Sequence, residues 1–152
     1  MRKSKIIDVI SYLYIALFLY TGLYKLSGQE IFRSALNDSP LLKRYSAAIA
    51  IVVPSVEVLI ALSLLLPFFT YAPGARKWGL RTGTGLMALF TLYVSYMLKF
   101  SHGLPCSCGG IIQKMNWHQH LYFNTLFTFL GLLAIWLDNQ DLKSERTESA
   151  LV

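Results

Sequence analysis

Charged residues are scarce in this 152-residue chain, where Asp, Glu, Lys and Arg together make up 14% of the sequence. A soluble domain carries about a quarter charged residues, so much of this protein's surface does not face water. The apolar residues make up 55% of the chain. They are gathered into long blocks rather than spread at amphipathic spacing, which is typical of membrane proteins. The shortage of charge therefore excludes an ordinary soluble domain.

Acidic residues are outnumbered, with 8 Asp and Glu against 14 Lys and Arg, and the formal net charge is +6. A basic balance can indicate nucleic-acid binding. Here, however, the cations lie in short segments between apolar blocks, where membrane proteins meet anionic lipid headgroups. We therefore expect a lipid bilayer as partner and no nucleic acid. The length allows a single domain.

Four apolar blocks predict an all-α fold, an integral membrane four-helix bundle that forms one domain over residues 1–152. The predicted transmembrane helices are 6–26, 45–66, 79–98 and 118–137, and a polar tail occupies 138–152. Each block is long enough to span a bilayer. After the first span, Ile31, Phe32, Ala35 and Leu36 recur at helical spacing. This pattern predicts a short helix at the membrane interface.

Proline and glycine predict helix ends and helix contacts. Ser39 and Pro40, ahead of the second span, are typical of a helix start, with Ser39 as N-cap and Pro40 as first helical residue. The pair at positions 73 and 74, Pro-Gly, predicts a turn before the third span. The third span also predicts a small-residue face for close helix packing, formed by Gly79, Gly83 and Gly85.

The distribution of cations favours cytoplasmic N- and C-termini. This arrangement places eight Lys and Arg on the cytoplasmic side and six on the other. It predicts that the loop between the third and fourth spans lies outside the cytoplasm, where disulfides persist. Asp8 and Arg81, near the inner ends of the first and third spans, would either pair or meet lipid headgroups.

Cysteine is almost absent, and the two cysteines, Cys106 and Cys108, lie together in that loop. A Cys-x-Cys disulfide closes a small strained ring and is more readily reduced than a structural bridge, which suits thiol–disulfide exchange. The same residues would alternatively be free thiols or a local staple. A third interpretation is a zinc or copper site in which His118 and His120 complete the ligand set, although the spacing is not that of a zinc finger.

Two ionisable residues, Lys25 and Glu57, interrupt the apolar blocks. A charge at the bilayer centre costs roughly 2.5–3.5 kcal/mol, so we expect the two to pair or Glu57 to carry protons. Depth is a difficulty, because Glu57 lies roughly 18 Å below the start of its span at Tyr45. Lys25 must then reach downward, or it is a snorkelling anchor at the interface. His120 and Asn124, four residues apart, share one helical face and would turn into the bundle together.

These residues resemble the MauE branch of the DoxX-like, redox-associated membrane proteins over about residues 6–137. The resemblance rests on these motifs: Gly22-x-x-Lys25, Phe32, Pro54-x-x-Glu57, and Pro105-Cys106-x-Cys108-Gly109 followed by Trp117 and His120. It implies a role in supplying or reshuffling disulfides. It also implies a location in a bacterial inner membrane, with the cysteine loop in the periplasm. The redox pair would be Cys106 and Cys108. The residues expected around the pair are Lys25, Glu57, His120 and Asn124, with Asn124 and Trp117 beside any cofactor.

The architecture also resembles the quinone-linked disulfide-forming proteins, including vitamin K epoxide reductase. Those proteins commonly have a second cysteine pair and Cys-x-x-Cys spacing, and this chain has neither.

The leading hypothesis is a membrane thiol–disulfide oxidoreductase whose Cys106 or Cys108 exchanges with a thioredoxin-like or cysteine-containing protein outside the cytoplasm. Lys25 and His120 would stabilise the thiolate, Glu57 would handle protons, and a quinone would carry electrons. A metal-handling protein using Cys106, Cys108 and His120 is a second hypothesis. A non-catalytic assembly factor, with the cysteines as a staple, is a third.

Overall fold

The computed structural model of the chain describes residues 2–39, 41–70, 73–100 and 116–149. This part of the chain is helical and contains no strand. The α-helices are α1 (Arg2–Ser27), α2 (Gln29–Asp38), α3 (Ser46–Leu65), α4 (Pro73–Phe100) and α5 (Trp117–Ser149). Two short 3₁₀ helices flank α3, at Lys43–Tyr45 and Leu66–Phe68. The all-α prediction is confirmed, and the short helix predicted after the first span is α2.

Three helical segments in the described ranges are long and apolar enough to cross a membrane, namely Lys5–Ser27, Lys43–Phe68 and Trp117–Gln140. They contain most of α1, all of α3 and the first part of α5. The 28-residue α4 is outside this set, because Gly, Thr and Tyr residues interrupt its apolar sequence. Large apolar side chains remain exposed on the outer faces of these helices, including Leu59, Leu92 and Phe129. Such a surface suits hydrocarbon rather than water.

The four long helices pack in a closed order. α1 packs against α3 and α5, and α4 packs against the same two helices. α2 packs mainly on α3. The apolar core between the helices includes Ile7, Tyr14 and Phe18 of α1, Ile60 and Leu64 of α3, Leu80 and Met87 of α4, and Ala134 and Leu137 of α5.

Glycine permits close approach at several helix contacts. A Cβ on Gly79 would meet Ser63 and Leu64 of α3 within 2.7 Å, and one on Gly83 would lie 3.0 Å from Tyr14 and Phe18 of α1. Two members of the predicted small-residue face are thus packed tightly. The prediction was wrong for the third member, Gly85, because a Cβ there would meet nothing within 4 Å.

The helix ends differ from the sequence patterns at two places. Ser39 is the C-cap of α2 and not the N-cap of the next helix, since its backbone N–H donates to the carbonyl of Leu36. Pro40 lies outside the described residues. Pro73 opens α4 instead of forming a turn, a position that proline favours because its missing N–H has no partner there anyway.

The helix α5 is also longer than its apolar block. It continues through polar residues to Ser149, into the part of the sequence where a polar tail was expected. Gln, Lys, Glu and Arg are good helix formers, so the loss of apolar character does not by itself end the helix.

One arginine links three helices at the end of the molecule that holds the N-terminus. Arg76 of α4 donates to Asp138 of α5 at 3.1 Å and lies 3.6 Å from Asp8 of α1. Asp138 is buried, whereas Asp8 is more exposed. The partner of Asp8 is therefore Arg76, and the pairing of Asp8 with Arg81 that the sequence suggested is absent, since Arg81 is exposed.

Replacing Arg76 by Met is expected to lower the free energy of unfolding by about 1–3 kcal/mol, because it leaves the buried Asp138 carboxylate without its donor. The measurement is unfolding of the purified protein in mixed micelles. The matched control is Arg81→Met on the same helix, for which a change within about 0.5 kcal/mol is expected. Equal losses in the two variants would show that the three-helix link does not stabilise the fold.

Candidate functional site

Lys25 and Glu57 form an ion pair between α1 and α3. The Nζ of Lys25 donates to Oε1 of Glu57, and the two side chains are 6% and 1% exposed. The predicted pairing is confirmed. Both charges are withdrawn from solvent, which is costly unless each charge stabilises the other.

The pair forms although the two residues start at different depths. Gly22 lies against α3, where a Cβ would come within 3.0 Å of the Pro54 carbonyl oxygen and 3.2 Å of the Glu57 Cβ. Lys25 is therefore almost one helical turn beyond the level of Glu57. Side chains on an α-helix tilt toward its N-terminus, so Lys25 reaches back along α1 toward Gly22 and Glu57. The downward reach that the sequence required is a consequence of helix geometry.

Aromatic rings surround the ammonium group of Lys25. Its Nζ lies 5.5 Å from the ring centroid of Phe32 on α2 and 5.2 Å from that of Phe90 on α4. Both distances are within the range of cation–π attraction, which is stronger where water is excluded. Lys25 thus contacts three other helices through one charged group. Phe90 could not be singled out from the sequence, because it looks like any other apolar residue of its block.

A cavity of about 330 Å³ adjoins the ion pair. Its walls are mainly apolar and aromatic, and they come from α1, α2, α3, α4 and α5. The polar side chains that line it are Thr21, Lys25, Glu57, Tyr93, His120 and Asn124. An apolar cavity with a few converging polar groups is the usual form of a small-molecule site.

The second oxygen of the Glu57 carboxylate remains available inside this site. Within the described part of the chain, Glu57 Oε2 is buried and has no hydrogen-bond partner. Thr21, one turn before Lys25 on α1, is a neutral polar side chain that adjoins the carboxylate. An unsatisfied carboxylate oxygen in a cavity is an acceptor for a proton or for a ligand.

The helix α5 brings His120 and Asn124 to the same cavity. Asn116 caps the helix in a reciprocal pair with Gln119: each backbone N–H donates to the other residue's side-chain oxygen at 2.9 Å. This capping box fixes the first turn of α5. His120 and Asn124 are consequently buried side by side, as predicted from their spacing. The capping pair was missed in the sequence, although Asn-x-x-Gln is a recognisable helix-start pattern.

His118 and Trp117 do not belong to the cavity. His118 is exposed and Trp117 is half-buried, and neither lines the cavity wall. His118 and His120 therefore point in different directions from the first turn of α5. The described residues contain no group of three potential metal ligands. The two cysteines of the alternative metal site are not among those residues, so that site stays a prediction.

Cys106 and Cys108 lie outside the described residues, as does the rest of the segment 101–115. The chain connects that segment to Phe100 at the end of α4 and to Asn116 at the start of α5. His120 and Asn124 lie within the first turns of α5. The polar cavity is therefore at the end of the molecule where the cysteine segment is attached.

The short helix α2 closes one side of the cavity. Phe32 and Leu36 of α2 line the wall. Ser39, just after α2, is buried and lies 3.1 Å from the Tyr93 hydroxyl of α4, which donates to it. The amphipathic pattern that predicted α2 thus turns Phe32 and Leu36 toward the cavity, whereas Ile31 of the same pattern is 63% exposed.

The apolar helices and the buried ion pair define a small helical membrane protein with a polar site between its helices. The chain belongs to the MauE family: the sequence model of that family, described as methylamine utilisation protein MauE, matches residues 3–137. No match is found among curated proteins or among solved structures.

Proposed function

We propose that the chain is a four-helix membrane protein that performs thiol–disulfide exchange through Cys106 and Cys108 on the outer side of a bacterial inner membrane. The observation that supports this most directly is the convergence of Lys25, Glu57 and His120 at the end of the molecule to which the cysteine segment is attached. Membership of a family named for methylamine utilisation fits a maturation role.

In this proposal α4 crosses the membrane together with α1, α3 and α5. Its 28 residues extend about 42 Å, which is sufficient for a span. Its contacts with α3 and α5 are those of a member of the bundle. The cation distribution favours cytoplasmic termini and a periplasmic cysteine segment.

The proposed exchange proceeds through a mixed disulfide. The thiolate of one cysteine attacks a disulfide of a thioredoxin-like or client protein, and the other cysteine resolves the intermediate. The partner gains two electrons and two protons, and the two thiols of the chain become the Cys106–Cys108 disulfide. In the opposite direction a partner dithiol reduces the Cys106–Cys108 disulfide, and the partner is oxidised to a disulfide. Lys25 and His120 stabilise the thiolate, and Glu57 exchanges protons with it. A membrane-soluble carrier then returns the pair to its starting state.

The test is the redox state of the cysteine pair in native membranes, followed by thiol alkylation and mass shift across a glutathione redox series. We expect a disulfide that titrates close to the glutathione potential, because a strained eleven-membered ring is readily reduced. Cys108→Ser should accumulate a mixed disulfide with a partner protein through Cys106. The double variant Cys106→Ser/Cys108→Ser is the matched control and should trap nothing.

Two outcomes would contradict the proposal. Thiols that become alkylatable only after a chelator is added would indicate a metal site formed by Cys106, Cys108 and His120. A disulfide that resists reduction and whose removal only lowers stability would indicate a structural staple in an assembly factor.

A further inference from the structure

The cavity beside Lys25 and Glu57 reaches the molecular surface on the lipid side. Among the lining residues, Leu89 of α4 is the exposed one, at 60%, and Ile49 and Val53 of α3 are half-buried. All three are apolar. Leu89 lies 11 residues before the end of α4. This separation is about 16 Å along the helix, which places Leu89 at the depth of the hydrocarbon when α4 spans the bilayer. The mouth of the cavity therefore faces lipid.

The polar end of the cavity carries no net charge. Lys25 and Glu57 neutralise each other, and they are the two charged side chains among the lining residues. A charged ligand would leave one buried charge unpaired, which is strongly unfavourable. The occupant must then be neutral. Lys25 and the Asn124 amide supply donors for a carbonyl oxygen, and Glu57 Oε2 is a free acceptor for a hydroxyl.

The walls favour a flat ring at this end. Phe18, Phe90, Tyr93 and Phe123 line the cavity, and Phe32 closes it from α2. Aromatic side chains contact a planar ring by offset stacking or by edge-to-face packing. A volume of about 330 Å³ is at the small end of ligand sites, so a long apolar tail would leave through the mouth at Leu89.

We infer that the cavity binds the head of a membrane quinone, which enters from the bilayer between α3 and α4. A quinone has an uncharged planar ring, two carbonyl oxygens and an apolar tail, and it combines the properties that the walls, the donors and the mouth require. The inference rests on the proposed function for its redox meaning. The quinone takes part in the direction in which a partner dithiol has reduced the Cys106–Cys108 disulfide. Oxidation of the two resulting thiols back to the disulfide releases two electrons and two protons, which reduce one quinone to a hydroquinone. Glu57 is the carboxylate beside the ring that exchanges those protons.

Binding is tested by titrating the detergent-solubilised protein calorimetrically with a benzoquinone that carries a decyl tail. The competing ligands are decylbenzene, which lacks the carbonyls, and monodecanoylglycerol, which has an uncharged lipid head. We expect the quinone to bind and the other two to bind at least about tenfold more weakly, equivalent to about 1.4 kcal/mol. Equal binding of decylbenzene would show an unselective apolar cavity. Tighter binding of the glycerol lipid would show a lipid site. Either result overturns the inference.

Variants locate the site. Leu89→Trp should block the mouth and weaken quinone binding about tenfold, whereas Leu92→Trp, on the same helix, 68% exposed and outside the cavity, should not. Asn124→Leu should weaken binding by a similar factor through loss of one donor. The Leu89 and Leu92 variants alter exposed positions and keep the test valid if Asn124→Leu does not fold. Identical affinities for Leu89→Trp and Leu92→Trp would overturn the inference.

The double variant Cys106→Ser/Cys108→Ser separates this inference from the proposed function. It should bind the quinone as tightly as the wild type, since the cysteines are not needed to hold the ring. If the wild type binds the quinone but shows no thiol exchange, the ligand site stands and the proposed function is refuted. If the wild type exchanges thiols but does not bind the quinone, the proposed function stands and the ligand site is refuted.

Discussion

Replacing Lys25 by Met is expected to destabilise the protein by about 3–5 kcal/mol, which is the cost of leaving one partner of a buried ion pair uncompensated. Glu57 is 1% exposed, and one of its two carboxylate oxygens already lacks a partner. Loss of Lys25 would leave the whole carboxylate without a counter-charge in an apolar cavity. Unfolding of the purified variant in mixed micelles measures the change.

The double variant Lys25→Met/Glu57→Met separates stability from function. An apolar pair of similar length removes both desolvation penalties, so we expect the free energy of unfolding to return to within about 1 kcal/mol of the wild type. Thiol exchange in membranes should nevertheless remain impaired. The matched control is Arg33→Met on the exposed face of α2, with a change within about 0.5 kcal/mol. A single variant at Lys25 that is no less stable than this control would refute the account of the ion pair.

The ion pair was predictable because charge is rare in apolar blocks. A buried Lys and a buried Glu in such blocks need partners, and the two have opposite charges that can neutralise each other. The spacing of His120 and Asn124 likewise predicted a shared buried face, which the structure confirms. The roles of these residues in exchange, and of Cys106 and Cys108, stay predictions.

The surroundings of the pair could not be predicted in the same way. Phe32 and Phe90 contact Lys25 because tertiary packing brings α2 and α4 to the same end of α1, and nothing in the local sequence distinguishes Phe90 from a lipid-facing residue. A cavity is a space between helices, so its presence depends on helix positions that a single sequence does not give. The partners of Arg76 depend on the same tertiary information.

At one helix end, the role predicted from residue type differs from the role that tertiary packing imposes. Ser39 has a residue type that suits an N-cap, but the α2 helix packs over the cavity and ends at this residue. The hydroxyl of Ser39 accepts a hydrogen bond from Tyr93 of α4. Burial against another helix thus decided the role of Ser39.

The family match covers MauE alone. The relationship to the DoxX-like proteins stays a prediction.

The two halves of the bundle differ in how closely the helices approach. Toward the N-terminal half of α4, Gly79 and Gly83 allow close contact with α3 and α1. Toward its C-terminal half, Met87, Phe90 and Tyr93 are bulky and line the cavity. Small residues therefore close one half of the bundle, and large residues hold the helices apart in the other. The cavity is a consequence of that difference.

Replacing Gly131 by Ala is expected to destabilise the closed half by about 3 kcal/mol or more. A Cβ on Gly131 of α5 would overlap Oγ1 of Thr84 and the hydroxyl of Tyr14, closer than real atoms approach. Neither group can move freely. Tyr14 is fully buried and donates to the Phe127 carbonyl at 2.7 Å, and Thr84 donates to the Leu80 carbonyl at 2.6 Å. The substitution must therefore push α5 outward or break a buried hydrogen bond.

The control for this prediction is Gly85→Ala on α4, where a Cβ would meet nothing within 4 Å. Alanine favours the helix over glycine by about 1 kcal/mol, so this variant should be as stable as the wild type or slightly more stable. Gly131→Ala should also cost less when Tyr14 is replaced by Phe, because the hydroxyl that it would overlap is then absent. Equal costs in the two backgrounds would mean that the Tyr14 hydroxyl is not what limits the space at Gly131. Equal stability of Gly131→Ala and Gly85→Ala would mean that α1, α4 and α5 do not pack closely at this level.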